Sequence, residues 1–299
     1  MAILINKQTK VLIQGITGTE GSRAAKEMLL YGTKVLAGVT PGKGGQKVEG
    51  IPVYDTVKEA IGKHKGINTT LIAVPGAFVK DAALEAIAAG INIINILSEH
   101  VPVEDCAFIY ASAKKSGAIV IGPSSVGIIS PGESKIGSIG SSEIKDVFKK
   151  GSVGIISKSG GMTAEIASIL TRAGFGQSTV VGIGGDQIIC SDFVDILKVF
   201  NKDKSTKAVV IFGEIGGTYE ELAADYIKKK KFKKPVIAII AGRFSEILPR
   251  GTTLGHAGAI VSEGRGSYSS KVQALKSAGV KVVETLEDIP RLLKQAIRY

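Results

Sequence analysis

Short runs of β-branched and aliphatic residues alternate along this chain with stretches whose apolar residues recur at helical spacing. That alternation leaves few architectures open. Runs at 10–14, 34–39, 70–74, 92–97 and 118–121 have strand length, and 20–30, 56–64, 78–89 and 103–115 carry the helical pattern between them. Alternating units of this size imply a parallel sheet with helices on both faces. The rhythm stops at Gly122-Pro123, stays rich in Gly, Ser and Pro to about residue 142, and then restarts. Strands are predicted at 152–156, 179–183, 208–212, 236–240, 259–261 and 280–283. Helices are predicted at 162–173, 193–200, 219–229, 269–278 and 286–297. The pattern predicts two α/β domains, over 1–127 and 146–299, joined by a linker at 128–145.

With 299 residues and 44% hydrophobic composition, the chain has the length and apolar content for two ordinary cores. No apolar stretch reaches the roughly 18 residues of a membrane span, and the opening Met1-Ala2-Ile3-Leu4 reads as the approach to a strand rather than a signal segment. Only Cys106 and Cys190 are present, far apart, so a disulfide framework is not expected and a reducing cytoplasm is. The formal charge of +11 raises the question of an acidic partner. The densest basic run, at 228–234, follows a helical pattern and precedes Pro235, where cations complement a helix C-terminus. No aromatic platform or helix-turn-helix pattern accompanies it, which argues against nucleic acid.

Gly15-Ile16-Thr17-Gly18-Thr19-Glu20-Gly21 follows the first strand and opens a helix. Glycines let a backbone approach a phosphate, and a helix N-terminus offers free N–H groups with a partial positive charge. A dinucleotide fold places an acid after its second strand to hold a ribose diol. Here that position reads Gly38-Val39-Thr40-Pro41-Gly42-Lys43-Gly44-Gly45. A lysine in a glycine loop suits a phosphorylated ribose, which disfavours NAD and leaves coenzyme A or NADP. Leu97-Ser98-Glu99 forms a further turn of the same kind.

The second half holds one histidine in an open setting. His64 stands among Lys63, Lys65 and Gly66 and reads as a surface residue, while His100 precedes a helix and reads as a turn residue. His256 lies in Leu254-Gly255-His256-Ala257-Gly258, where small neighbours leave the imidazole unobstructed. No second His or Cys stands at metal-ligand spacing from it, so nucleophilic or acid–base work is the better expectation than zinc. Ser157-Lys158-Ser159-Gly160-Gly161-Met162 follows a strand and opens a helix, a second resting place for a phosphate. Glu214, in Gly213-Glu214-Ile215-Gly216-Gly217 after another strand, can accept the other imidazole N–H and fix the tautomer.

These motifs, in order and over nearly the whole chain, resemble the alpha subunit of succinyl-CoA synthetase and the related region of ATP-citrate lyase. The matching stretches begin at Gln14, Gly38, Val181, Gly213 and Gly255. The resemblance implies a Rossmann-like CoA-binding domain followed by a flavodoxin-like ligase domain. It implies that Thr17, Gly18, Thr19 and Glu20 carry the CoA pyrophosphate, that Lys43 faces the nucleotide end, and that Leu97, Ser98 and Glu99 line the rest. It further implies a phosphorylated His256, with Ser159, Gly160 and Gly161 holding the phosphoryl group and Glu214 as the supporting carboxylate. A beta subunit, in a heterodimer or heterotetramer, would supply an ATP-grasp domain with Mg2+ and ATP or GTP. The implied reaction joins succinate to CoA, a tricarboxylic acid cycle step.

Some positions depart from that family. Its usual Asn-Cys-Pro is Ser124-Ser125-Val126 here, its usual tyrosine beside the acyl substrate is Ala164, and the loop at 244–254 is rewritten. Parts of the chain look closer to ATP-citrate lyase or citryl-CoA synthetase, which makes citrate the alternative substrate. A non-catalytic CoA-binding module is the alternative from another class.

Overall fold

The computed structural model describes residues 3–140, 144–247 and 266–297. The N-terminal half runs β1 (Lys10–Gln14), α1 (Thr19–Tyr31), β2 (Lys34–Val39), β3 (Lys47–Val48), β4 (Ile51–Tyr54), α2 (Val57–Lys63), β5 (Thr69–Ile72), α3 (Val79–Ala88), β6 (Ile93–Ile96), α4 (Val103–Ser116) and β7 (Ile119–Ile121). Its sheet has the order β3-β4-β2-β1-β5-β6-β7, parallel except where β3 pairs with β4. From β4 to β7 this is the doubly wound order of a Rossmann fold. Alternation along β1 shows why a parallel strand reads as an unbroken apolar run. Val11 and Ile13 enter one buried cluster and Leu12 the other, so both faces are covered.

The C-terminal half runs β8 (Gly127–Ser130), β9 (Ser134–Gly137), α5 (Ile144–Val147), β10 (Lys150–Ser157), α6 (Gly160–Arg172), β11 (Gln177–Gly182), α7 (Phe193–Lys202), β12 (Ala208–Glu214), α8 (Tyr219–Lys228), β13 (Val236–Ala241), α9 (Tyr268–Ser277), β14 (Lys281–Val283) and α10 (Asp288–Ala296). The sheet order is β14-β13-β12-β10-β11-β8-β9. The five strands from β10 to β14 are parallel in the flavodoxin-like order, and β8 and β9 extend them antiparallel. The strand expected at 259–261 lies outside the described residues.

The stretch at 128–145, expected as an irregular linker, contains this β8–β9 hairpin instead. Ile128, Ile129 and Ile136 are fully buried, and their burial outweighs the turn-prone Gly, Ser and Pro around them. The hairpin also ties the halves together. Lys135 exchanges backbone hydrogen bonds with the Thr33 hydroxyl, and its ammonium meets Glu27 of α1 at 2.8 Å. One apolar cluster accordingly runs from Ala24 and Met28 of α1 through Ile128 and Ile136 to Ile156 and Val181.

Charge inside this second half is paired. Lys271 of α9 has no exposed side-chain surface and bonds Glu220 at the head of α8, with Glu221 at 3.5 Å. The basic run after α8 is mostly exposed, and Lys234 turns back to bond the Phe200 and Asp203 carbonyls past the end of α7.

The hairpin assignment has a direct test in urea unfolding. Ile136→Ala should cost about 2–5 kcal/mol, the range for truncating a buried aliphatic side chain. A solvated linker would tolerate the same change within about 0.5 kcal/mol.

Candidate functional site

In open α/β sheets ligands gather beyond the carboxyl ends of the strands where the strand order reverses. In the N-terminal sheet that point lies between β1 and β5. Here β1 ends at Gln14 and the chain turns into α1 through Gly15, whose φ is +80° and whose added Cβ would stand 2.5 Å from the Ala73 carbonyl oxygen. A Cβ on Gly21 would stand 2.1 Å from the Gly15 carbonyl oxygen. The loop and the first turn of α1 therefore lie in direct backbone contact, and no side chain caps the helix after Gly18. This is a cradle of N–H groups with room for phosphate.

A cleft of about 640 Å³ opens above it, lined by Gly18, Thr19, Glu20, Leu97, Ser98 and Glu99 among others. The Ser98 hydroxyl donates to the Val74 carbonyl, and Leu97 N–H donates to Ile72 across the sheet, which fixes this loop over the cradle. Thr17 and Lys43 do not line the cleft. Thr17 bonds Thr40 at 3.2 Å, and exposed Lys43 sits in the turn that Thr40 begins. Arg23 does line it, ion-paired to Glu20 one turn before. The sequence reading missed Arg23, although its spacing of three from Glu20 puts both on one helix face.

The reversal in the C-terminal sheet lies between β10 and β12, and it brings together the loops that carry Ser159 and Glu214. The Ser157 hydroxyl donates to the Ser159 carbonyl at 2.7 Å and accepts from the Ser159 N–H at 3.1 Å, setting the entry into α6. Ser159 is the N-cap, but its side chain makes no capping bond. Gly160 and Gly161 form the first turn, and a Cβ on Gly160 would strike Val126 at 2.2 Å. Between these loops Lys158 and Glu214 form a buried pair at 3.2 Å, with 1% and 10% of their side chains exposed. Glu214 N–H donates to Glu220, whose other oxygen meets Lys271. Lys158 was not singled out from sequence, because a lysine is usually solvated.

His256 lies outside the described residues. The chain on its far side returns beside Glu214, where Gly216 N–H donates to the Gly266 carbonyl at 2.8 Å. Ala164 is half-buried against the C-terminal core and lines neither cleft.

A second cleft of about 470 Å³ starts at Lys158 and Gly160 and runs past Asp186. It shares Glu99, His100, Ser124 and Val126 with the first, so the two adjoin. Cys106, on its wall, is held protonated by burial at about 11, with Asp186 adding to the rise. Burial likewise pushes Cys190 up to about 12. Neither thiol is a nucleophile at neutral pH. Among the described residues no cluster of His, Cys, Asp and Glu is arranged for a metal ion, and no helix is long and apolar enough to cross a membrane.

Comparison with known proteins assigns each half. A family model described as a CoA binding domain matches residues 6–100, and one described as CoA-ligase matches 156–281. Succinate–CoA ligase [ADP-forming] subunit alpha 2 of Archaeoglobus fulgidus is 48% identical, over 99% of this chain and 100% of its own. The chain belongs to the succinate–CoA ligase alpha-subunit family. The family is not uniform in substrate: the ADP-forming sulfoacetate-CoA ligase subunit SqwL of Acholeplasma is 44% identical over 99% of this chain and 98% of its own. Among solved structures, ATP citrate lyase of Methanosaeta concilii in complex with (3S)-citryl-CoA has a TM-score of 0.91 at 27% identity and covers 98% of this chain. This chain spans half the length of that one.

Lys158→Met should take from the buried Glu214 carboxylate the ammonium that stands 3.2 Å away, at a cost of about 3–5 kcal/mol in urea unfolding. Lys158→Met combined with Glu214→Leu should recover most of that loss, because the buried carboxylate is removed along with its ammonium.

Proposed function

We propose that this chain is the alpha subunit of an ADP-forming ligase that joins succinate to CoA through a phosphoryl group carried on His256. The observation that carries the reading is a pair of adjoining clefts, one over a CoA-type phosphate cradle and one at the Lys158–Gly160 turn, in a chain 48% identical to a succinate–CoA ligase subunit. Thr17, Gly18, Thr19 and Glu20 form the pyrophosphate loop, with the Glu20 charge balanced by Arg23. Lys43 meets the phosphorylated ribose, and Leu97, Ser98 and Glu99 line the arm that leads toward the second cleft.

A carboxylate resists attack by a thiol because its leaving group would be oxide. Phosphorylation converts it to a mixed anhydride, from which the CoA sulfur displaces phosphate. Carrying the phosphoryl group on His256 lets a nucleotide site and a carboxylate site stand apart. Gly160 and Gly161 N–H groups and the Ser159 side chain receive the phosphoryl oxygens at the positive end of α6. Glu214 accepts the imidazole N–H, held in place by Lys158. The nucleotide and Mg2+ belong to a beta subunit with an ATP-grasp domain.

Citrate is the second reading, favoured by the structural likeness to ATP citrate lyase, and sulfoacetate is a third acid to compare. Ala164, expected from sequence beside the acyl substrate, packs against the C-terminal core instead and gives no ground for choosing among these acids. With its beta subunit, the chain should form CoA thioester from succinate with the highest specificity constant of the three. A higher constant for citrate would reassign the substrate and leave the phosphohistidine route standing.

Incubation with the beta subunit and Mg-ATP should give an acid-labile, base-stable phosphate on the chain. His256→Asn should abolish both the label and turnover, and full activity in that variant would refute the route. Lys43→Ala should raise the KM for CoA about tenfold or more, the worth of one charge-assisted contact, with phosphorylation of His256 near normal.

A further inference from the structure

Thioester formation needs a group to take the thiol proton, and the junction of the two clefts supplies one. Among the described residues, four line both clefts: Glu99, His100, Ser124 and Val126. Two of them, His100 and Ser124, hold the left-handed backbone conformation without being glycine, with φ of 57° and 56°. Such conformations cost energy, persist where the surroundings impose them and cluster at functional sites. The surroundings do impose this one. A Cβ on Gly76 would stand 2.6 Å from the His100 carbonyl oxygen, and Ser124 N–H donates to Ser98 while its hydroxyl donates to Asp186 at 2.7 Å. His100 is exposed and lines both clefts.

We propose that His100 is the catalytic base that takes the proton from the CoA thiol as the sulfur attacks the acyl phosphate. The inference rests on the ligase reading above and adds a residue to it. In the step the S–H proton passes to the imidazole and an S–C bond forms. The bond from the acyl carbon to the phosphate oxygen breaks, and inorganic phosphate leaves with that electron pair. The imidazolium then returns its proton to solvent through the open cleft.

The other groups at the junction fit the task less well. An imidazole lies closer below a thiol in basicity than a carboxylate does, so it is the better-matched acceptor than Glu99 or Asp186. Asp186 is also committed to Ser124. Cys106 on α4 is held protonated, and Lys158 is paired with Glu214. On the other side, Glu20 and Arg23 of α1 are paired with each other.

The test uses the full complex with its beta subunit, CoA, succinate and Mg-ATP. His100→Asn tolerates the left-handed backbone but cannot act as a base, and His100→Gly removes the strain as well. Both should lower kcat about 100-fold or more, with KM for CoA within twofold and phosphorylation of His256 by ATP unchanged. The acidic limb of the wild-type pH–rate profile should disappear in both, and added free imidazole should restore part of the rate to His100→Gly. Retention of the wild-type rate and profile in the two variants would overturn the proposal while leaving the ligase reading intact. Failure of the wild-type complex to form any thioester would overturn both.

Discussion

The β8–β9 hairpin is the constraint on which the rest of this molecule depends. It belongs by hydrogen bonding to the C-terminal sheet and by packing to α1 of the N-terminal half. Two doubly wound sheets each have one natural ligand crevice. Held apart by a solvated tether, the two crevices would act independently. With Lys135 locked to Thr33 and Glu27, and Ile128 and Ile136 sealed in a common core, the clefts at their mouths adjoin and share four lining residues.

A second constraint is electrostatic. The C-terminal crevice is built on buried charge: Lys158 with Glu214, and Lys271 with Glu220, joined by the Glu214 N–H. Pairs like these add little stability over apolar residues of the same size, yet losing one partner is costly. Their evident service is positional. A carboxylate held by a buried ammonium on one side and anchored through its own backbone on the other has few alternative orientations.

Much of this was legible in the sequence. The strands of both parallel sheets announce themselves because burial on two faces produces unbroken runs such as Val11-Leu12-Ile13 and Val209-Val210-Ile211. The glycine turns after β1 and at the head of α6 were readable because the Gly15 backbone leaves no room for a side chain at Gly21, and the Val126 side chain leaves none at Gly160. The hairpin was not, because each of its strands has four residues and stands among turn-formers. Nor were the buried lysines: Lys135 finds its partner 108 residues away and Lys271 finds Glu220 at a separation of 51. Such pairings exist only once the topology has formed.

Cys106 stands on the wall of the cleft that begins at Lys158 and Gly160, where the proposed reaction would place an activated acyl group. A thiolate there would be a competitor of CoA and would trap the acyl group on the protein as a dead-end thioester. Burial prevents this. Burial pushes its pKa up to about 11, so the thiol form dominates at neutral pH. The enzyme is thereby protected from acylating itself, and the same desolvation makes Cys106 a poor target for oxidation or for exchange with CoA disulfides.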